Sequence, residues 1–240
     1  MKPYQQIPII DCNEPLVPIP LEIFAIEIPH AYQKLGAPYP PSKADSPYYL
    51  RQGVLNSLIT AQTYLQQQHP ELKIMIFDAY RPVEVQQFMV DYTFIEIAKA
   101  QGYKFPISEE KRQHILEQVY QFWAVPSLDP TTPPPHSTGA ALDVTIVDRN
   151  HQPIDMGSAI DEVSPRSYPD YFANSNSVVE QQYHQNRQLL KEAMFAAGFK
   201  QHFNEWWHFS IGDQMWAWLK NQEDKTNQFV ARYGRYVVGL

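Results

Sequence analysis

The chain of 240 residues has little cysteine: Cys12 is the only one. A single cysteine cannot form a disulfide within the chain, and it excludes a zinc site built on cysteine ligands. Nothing in the sequence therefore depends on an oxidising compartment.

Clustered positive charge is also missing. Lysine and arginine number 19 against 26 aspartates and glutamates, which gives a formal net charge of -7. Because the basic residues are scattered along the chain, the composition argues against a nucleic-acid partner. We expect a small or cationic ligand instead.

Long apolar runs are absent as well. No window approaches the ~18 consecutive apolar residues that a membrane helix needs. The apolar stretch 16–28 is interrupted by Pro18, Pro20, Glu22 and Glu27 and lacks a basic flank, so it does not read as a signal peptide or a membrane span. We therefore expect a soluble, cytoplasmic protein without a membrane partner. The sequence carries no indication of the oligomeric state.

Helical and extended segments alternate along the chain. Residues 1–48 hold many of the 21 prolines and predict an extended arm that wraps the domain, with one strand near 22–27. Apolar spacing predicts helices at 49–68, 83–101, 108–123 and 177–197, and strands at 72–77, 141–147 and 206–211. We expect one α+β domain, 1–240, in which helices flank a central antiparallel sheet and 49–240 form the catalytic core.

Two short segments could together hold a metal ion. His136 and Asp143 are seven residues apart, so in one continuous strand they would point to opposite faces. Gly139 permits a turn between them, and three prolines at 133–135 stiffen the approach to His136. The spacing therefore predicts a bent chain that brings both side chains to one ion.

The second segment contains Glu205 and His208. Two histidines and one aspartate leave a net charge of about +1 on a zinc ion and lower the pKa of a bound water toward ~7. Glu205 would then be a base beside the metal. A lone histidine is more often a surface or core residue, so the prediction depends on the two segments together. Of Trp206 and Trp207, we expect one indole in the core and the other lining the site.

Three motifs in this order resemble a known family, the D-alanyl-D-alanine dipeptidases, which are the VanX-like branch of the zinc D,D-peptidases. They are Asp78-x-Tyr80-Arg81-Pro82, His136-x-x-Gly139-x-Ala141-x-Asp143 and Glu205-Trp206-Trp207-His208. The resemblance covers roughly 74–211. It implies a D,D-peptidase fold, a small D,D-dipeptide substrate and one Zn²⁺ per chain. It further implies these roles: His136, Asp143 and His208 as zinc ligands, Glu205 as general base, and Arg81 as the group that stabilises the oxyanion.

A further match at 156–161 implies that Asp161 pairs with the free ammonium of the dipeptide. A capping role for Asp161 is the alternative, as is a purely structural ion pair between Arg81 and Asp78. Two positions depart from the family. Pro134 stands where the family often has serine, and the arm around His30-Ala31-Tyr32 does not match, so no tyrosine contact with the substrate is assigned.

The sequence favours hydrolysis of D-alanyl-D-alanine by metal-activated water, with no covalent intermediate. Three alternatives stay open. The first is a zinc D,D-carboxypeptidase acting on peptidoglycan stem peptides, which would share the metal motifs. The second is a non-catalytic zinc-binding module, and the third is a soluble α+β protein without metal.

Overall fold

A five-stranded sheet forms the centre of the fold. The computed structural model describes residues 2–39 and 47–237. Its strands are β1 (Leu16–Pro18), β2 (Ala25–Ile26), β3 (Tyr49–Arg51), β4 (Lys73–Asp78), β5 (Ala141–Val147), β6 (Lys200–Gln201) and β7 (His208–Ser210). The main sheet has the order β2-β4-β5-β7-β6, and β1 pairs with β3 in a separate ladder.

Most of the main sheet is antiparallel, as the sequence predicts, but one edge is not. β2 runs parallel to β4, whereas β4–β5, β5–β7 and β7–β6 are antiparallel. Parallel neighbours need a long crossover connection, and β3 with the helix after it supplies one between β2 and β4. The α+β class is confirmed, and the purely antiparallel sheet is corrected to a mixed one.

Six α-helices accompany the strands in the described part of the chain. They are α1 (Ala31–Lys34), α2 (Gln52–Gln68), α3 (Val83–Ala100), α4 (Glu109–Phe122), α5 (Val178–Ala196) and α6 (Gln214–Glu223). α2 and α5 contact each other, and their buried leucines form one cluster with Ile74 and Ile76 of β4. α3 and α4 pack together in a second cluster that includes Tyr32 and Trp123. In the described ranges, none of these helices combines the length and hydropathy required to traverse a lipid bilayer.

The predicted elements match the observed ones closely, with local shifts. α2 begins at Gln52 because the three residues before it pair with β1. Ser108 caps α4 by accepting a hydrogen bond from the Lys111 amide, and Gly198 follows α5 with a φ of +91°. β5 has the predicted bounds, but all its residues are buried because it lies between β4 and β7 with both faces covered.

The amino-terminal arm lies along the carboxy-terminal segment. It starts with a 3-10 helix, Pro3–Gln6, that contacts α6. The Ile10 amide donates to the Ala231 carbonyl (2.8 Å), and the Cys12 amide donates to the Arg232 carbonyl (3.0 Å). Residues 40–46 of the predicted arm lie outside the described residues.

Candidate active site

A tight turn places His136 opposite β5. His136 belongs to the 3-10 helix Pro135–Thr138, which ends at Gly139 in the left-handed region with a φ of +68°. A Cβ on Gly139 would lie 2.4 Å from Leu16 Cδ2, so both conformation and space require glycine there. Arg51 secures the turn because its Nε donates to the Thr138 carbonyl (2.8 Å). The predicted bend before Asp143 is therefore present.

Asp143 and His208 are direct partners across two strands. Asp143 of β5 lies in register with His208, the first residue of β7. Asp143 Oδ1 is 3.0 Å from His208 Nδ1, and Asp143 Oδ2 is 3.3 Å from His136 Nε2. The two histidines approach each other with 3.1 Å between His136 Nε2 and His208 Nδ1. All three side chains are buried and offer their ligand atoms to one point.

The chemistry of this cluster fits a metal ion. His136 Nδ1 lies 2.7 Å from the Ala79 carbonyl, which can only accept, so Nδ1 carries the hydrogen and Nε2 presents a lone pair. That lone pair faces the Asp143 carboxylate, a second acceptor. Ligands held ~2.0–2.1 Å from a tetrahedral zinc ion are ~3.3–3.4 Å apart, close to the observed separations. The cluster is therefore compatible with a divalent cation.

Arg81 reaches the cluster from the end of β4. Its Nη2 is 3.1 Å from Asp143 Oδ2, its Nε donates to Asp78 Oδ2 (2.9 Å), and its Nη1 donates to Gln86 Oε1 (2.8 Å). Burial lowers the pKa of Arg81. Its interactions with Tyr32, Asp78 and Asp143 raise the pKa by more than burial lowers it, so the net pKa is well above the ordinary value and Arg81 is a permanent cation. Arg81 therefore pairs with Asp78 and also lies beside the cluster of His136, Asp143 and His208.

Asp78 supports several of these groups at once. It is fully buried and receives a hydrogen bond from the Tyr39 hydroxyl (3.0 Å). His30 Nε2 lies 3.1 Å from its Oδ1, and His136 Nδ1 lies 3.2 Å from its Oδ2. Burial raises the pKa of Asp78, whereas Arg81 and His30 lower it to a net value below the ordinary one. The sequence alone suggests for Asp78 only a structural ion pair with Arg81.

Asp161 lies in the same cavity with a partner that the sequence did not predict. The Tyr32 hydroxyl donates to Asp161 Oδ2 (2.7 Å), and Arg81 Nη2 donates to the Tyr32 oxygen (3.3 Å). Burial raises the pKa of Asp161 above its ordinary range, and the charge on Asp143 raises it further. A carboxylate in this position would be stabilised by an incoming cation.

Glu205 lies beside the cluster without joining the three ligand atoms. Its Oε2 is 3.7 Å from His208 Nδ1, and its Oε1 is 3.5 Å from His202 Nδ1. Burial raises the pKa of Glu205 well above its ordinary value, Asp143 adds to this, and Lys2 opposes it. A carboxyl whose pKa is raised in this way holds a proton more readily than an ordinary glutamate, which suits it to proton exchange. The sequence motif contained no signal that His202 and Lys2 are neighbours of Glu205.

The two tryptophans divide as expected. Their rings are perpendicular, with centroids 5.4 Å apart, and both are buried. Trp207 lines the cavity that contains the metal cluster. Trp206 points elsewhere, and its Nε1 donates to Ser158 Oγ (2.9 Å).

All the predicted site residues line one cavity. Its empty volume is about 450 Å³, including its open mouth. Its charged wall residues, apart from histidines, are Lys2, Arg81, Asp143, Asp161 and Glu205. A three-ligand cation site beside a carboxyl and a guanidinium is the equipment of a metal-dependent hydrolase.

Comparison with known proteins agrees with this class. The peptidase M15 family model, described as D-ala-D-ala dipeptidase, matches residues 29–230. A D-alanyl-D-alanine dipeptidase from Synechocystis sp. is 50% identical over 242 residues, covering 98% of this chain and 97% of that protein. The chain therefore belongs to the D-ala-D-ala dipeptidase family of M15 peptidases.

More distant similarities were also found. A D-alanyl-D-alanine dipeptidase from Escherichia coli is 32% identical over 120 residues, covering 49% of this chain and 60% of that protein. A solved structure, VanYB in complex with D-alanine-D-alanine, aligns over 86% of this chain and 88% of its own at 16% identity, with a TM-score of 0.43.

Proposed function

We propose that this protein binds one Zn²⁺ per chain and hydrolyses D-alanyl-D-alanine to two molecules of D-alanine. The observation that carries the proposal is the cluster of His136, Asp143 and His208, whose facing atoms are 3.0–3.3 Å apart with the buried Glu205 beside them. The 50% identical relative bears the name of this activity.

In the proposed reaction, different side chains of the cavity have different roles. When bound, the ion polarises the peptide carbonyl and acidifies the attacking water. Glu205 takes a proton from this water and passes it to the leaving amine as the carbon–nitrogen bond breaks. Arg81 donates to the carbonyl oxygen as it becomes negative, and its existing bonds to Asp78 and Gln86 hold it in place beforehand.

Asp161 is proposed to select the substrate by its free amine. The Tyr32 hydroxyl orients the carboxylate, and burial makes its charge costly without a cationic partner. The substrate ammonium would be that partner. An N-acylated peptide would leave the carboxylate unpaired, which is a strong basis for rejection.

The test compares the hydrolysis of D-alanyl-D-alanine with that of its N-acetyl form, on protein whose zinc content is measured by mass spectrometry. We expect one zinc per chain and a preference of at least ~100-fold for the free dipeptide. Asp161→Asn should lose most of this preference, whereas Asp91→Asn, on the exposed face of α3, should keep it.

Other outcomes identify the alternatives. A preference for the acetylated compound would indicate a D,D-carboxypeptidase. Zinc binding without hydrolysis of either compound would indicate a non-catalytic module. Absence of zinc from the wild-type protein would contradict the proposal at its base.

A further inference from the structure

The amino-terminal segment brings a cation into the wall of the active-site cavity. Lys2 and Tyr4, at the 3-10 helix Pro3–Gln6, line this cavity together with Glu205 and His202. The mechanism proposed above uses neither Lys2 nor the segment that carries it.

Lys2 differs from the other cation of the cavity, Arg81. Arg81 is engaged by Asp78, Gln86 and Asp143. By contrast, the Lys2 ammonium has no ion-pair partner among residues 2–39 and 47–237: no carboxylate oxygen there lies within 4.0 Å of its nitrogen. Burial lowers the pKa of Lys2, and Glu205 opposes this effect, which indicates a partly desolvated charge close to the proposed base.

Lys2 and Asp161 line the same cavity but have different neighbours in it. Lys2 acts electrostatically on Glu205 and His202. Asp161 accepts a hydrogen bond from the Tyr32 hydroxyl, and its charge also acts on Glu205. The cavity therefore offers an anionic group at Asp161 and a cationic group at Lys2.

A dipeptide needs such a pair of charges. It has an ammonium at one end and a carboxylate at the other, with a single peptide bond between them. Three carboxylates line the cavity, at Asp143, Asp161 and Glu205, and they would repel the carboxylate end. Pro135, which also lines the cavity, has no amide hydrogen with which to bind it.

Building on the proposed function, we infer that Lys2 binds the carboxylate of the substrate's second residue. The cavity then recognises both ends of the molecule, the amine at Asp161 and the carboxylate at Lys2. A substrate with its carboxylate amidated or extended would lose the charge-assisted bond at Lys2.

The position of Lys2 is supported by packing and hydrogen bonds. Its amide donates to Gln5 Oε1 (2.8 Å), and the neighbouring Tyr4 is buried. Gln214 of α6 donates through Nε2 to the Ile7 carbonyl (2.7 Å). The side chain therefore starts from a fixed backbone, which lowers the entropic cost of binding.

The experiment follows the hydrolysis of D-alanyl-D-alanine and of D-alanyl-D-alaninamide by zinc-loaded full-length protein without an amino-terminal tag. The measured quantity is the ratio of kcat/KM for the acid to kcat/KM for the amide. In Lys2→Met this ratio should fall ~10-fold or more, mainly through a higher KM for the acid. Lys2→Arg keeps the charge and should retain most of the ratio, and Lys104→Met, an exposed control, should retain all of it.

The outcomes separate this inference from the proposed function. If Lys2→Met has the same acid-to-amide ratio as the wild type, the inference is overturned, whatever its absolute rate. If the wild type hydrolyses neither compound, the proposed function fails and the inference with it. A fall of the ratio in Lys2→Met alone supports the inference.

Discussion

Glu205 is a buried acid whose ionisation is influenced by two carboxylates, Asp143 and Asp161, and by two cations, Lys2 and Arg81. The charges on Asp143 and Asp161 disfavour its ionised form, whereas Lys2 favours it. A neighbouring cation would favour the ionised form further, so the protonation of Glu205 responds to what the cavity contains. This is the behaviour required of a group that takes up and releases a proton within one reaction cycle.

Glu205→Gln tests that role directly. The substitution keeps the shape of the side chain and leaves the three ligand residues in place. We expect zinc content equal to that of the wild type and turnover of D-alanyl-D-alanine lower by at least ~100-fold, because the proton acceptor is lost. Glu192→Gln, at an exposed position of α5, serves as the control. Unchanged turnover would contradict the assignment of Glu205 as base.

The sequence indicated some of the residues in and around this cavity and gave no sign of others, for a physical reason. His136 and Asp143 lie in one segment, Glu205 and His208 in another, so local spacing made them recognisable. Lys2 lines the cavity, and Tyr32 bonds Asp161 across a separation of 129 residues, only because the arm packs against distant elements. No local pattern records such a contact.

At the scale of elements, Glu14 connects three parts of the chain. It accepts hydrogen bonds from the Gly53 amide (2.7 Å) and the Tyr233 hydroxyl (2.9 Å), and it pairs with Arg232 (3.2 Å). Gly53 belongs to the first turn of α2, where a negative charge is favourable. Burial raises the pKa of Glu14, but these bonds lower it to a net value below 4.5.

A depressed pKa makes this contribution dependent on pH. The stabilisation by Glu14 is fully present above pH 4.5, the ordinary value, and is lost as the pH falls through the lower value in the folded state. We expect Glu14→Gln to reduce the free energy of unfolding at pH 7 by about 1 kcal/mol. Urea unfolding at pH 7 and pH 3.5 measures the difference in the free energy of unfolding between the wild type and this variant, with the exposed Glu22→Gln as control. A wild-type-to-variant difference that stays constant over this range would refute the prediction.

Elements differed in how well the sequence predicted them. The bend at Gly139 was predictable because an odd spacing and a glycine together require it. α6 was missed, although Asp213 caps it by accepting from the Trp216 amide (2.8 Å). β6 has two residues and exists only because β7 lies beside it, so its own sequence could not reveal it.

At the scale of the whole molecule, the cluster of His136, Asp143 and His208 joins the turn before β5, β5 itself and β7. An ion that binds only the folded chain stabilises it, by ~2.7 kcal/mol at a free concentration 100 times its Kd. We expect zinc added to metal-free protein to raise the thermal unfolding midpoint. His136→Ala should abolish the shift, and His114→Ala, at an exposed position of α4, should preserve it. An equal shift in wild type and His136→Ala would place the zinc elsewhere.

Several expectations about the whole chain stay predictions. They are the organisation as one domain with an arm at 1–48, the cytoplasmic location, and the absence of nucleic-acid and membrane partners. The sequence supports them through its single cysteine and its scattered basic residues.

The hydrogen bonds that hold the turn at His136 also determine when the cluster can form during synthesis of the chain. Arg51 bonds both the Thr138 carbonyl and the Gly234 carbonyl, and the Tyr236 amide donates to the Ser137 carbonyl. The ribosome synthesises His136, Asp143 and His208 before it synthesises residues 234–236. The cluster can therefore reach its final geometry only after residues 234–236 have been synthesised and have packed against this turn.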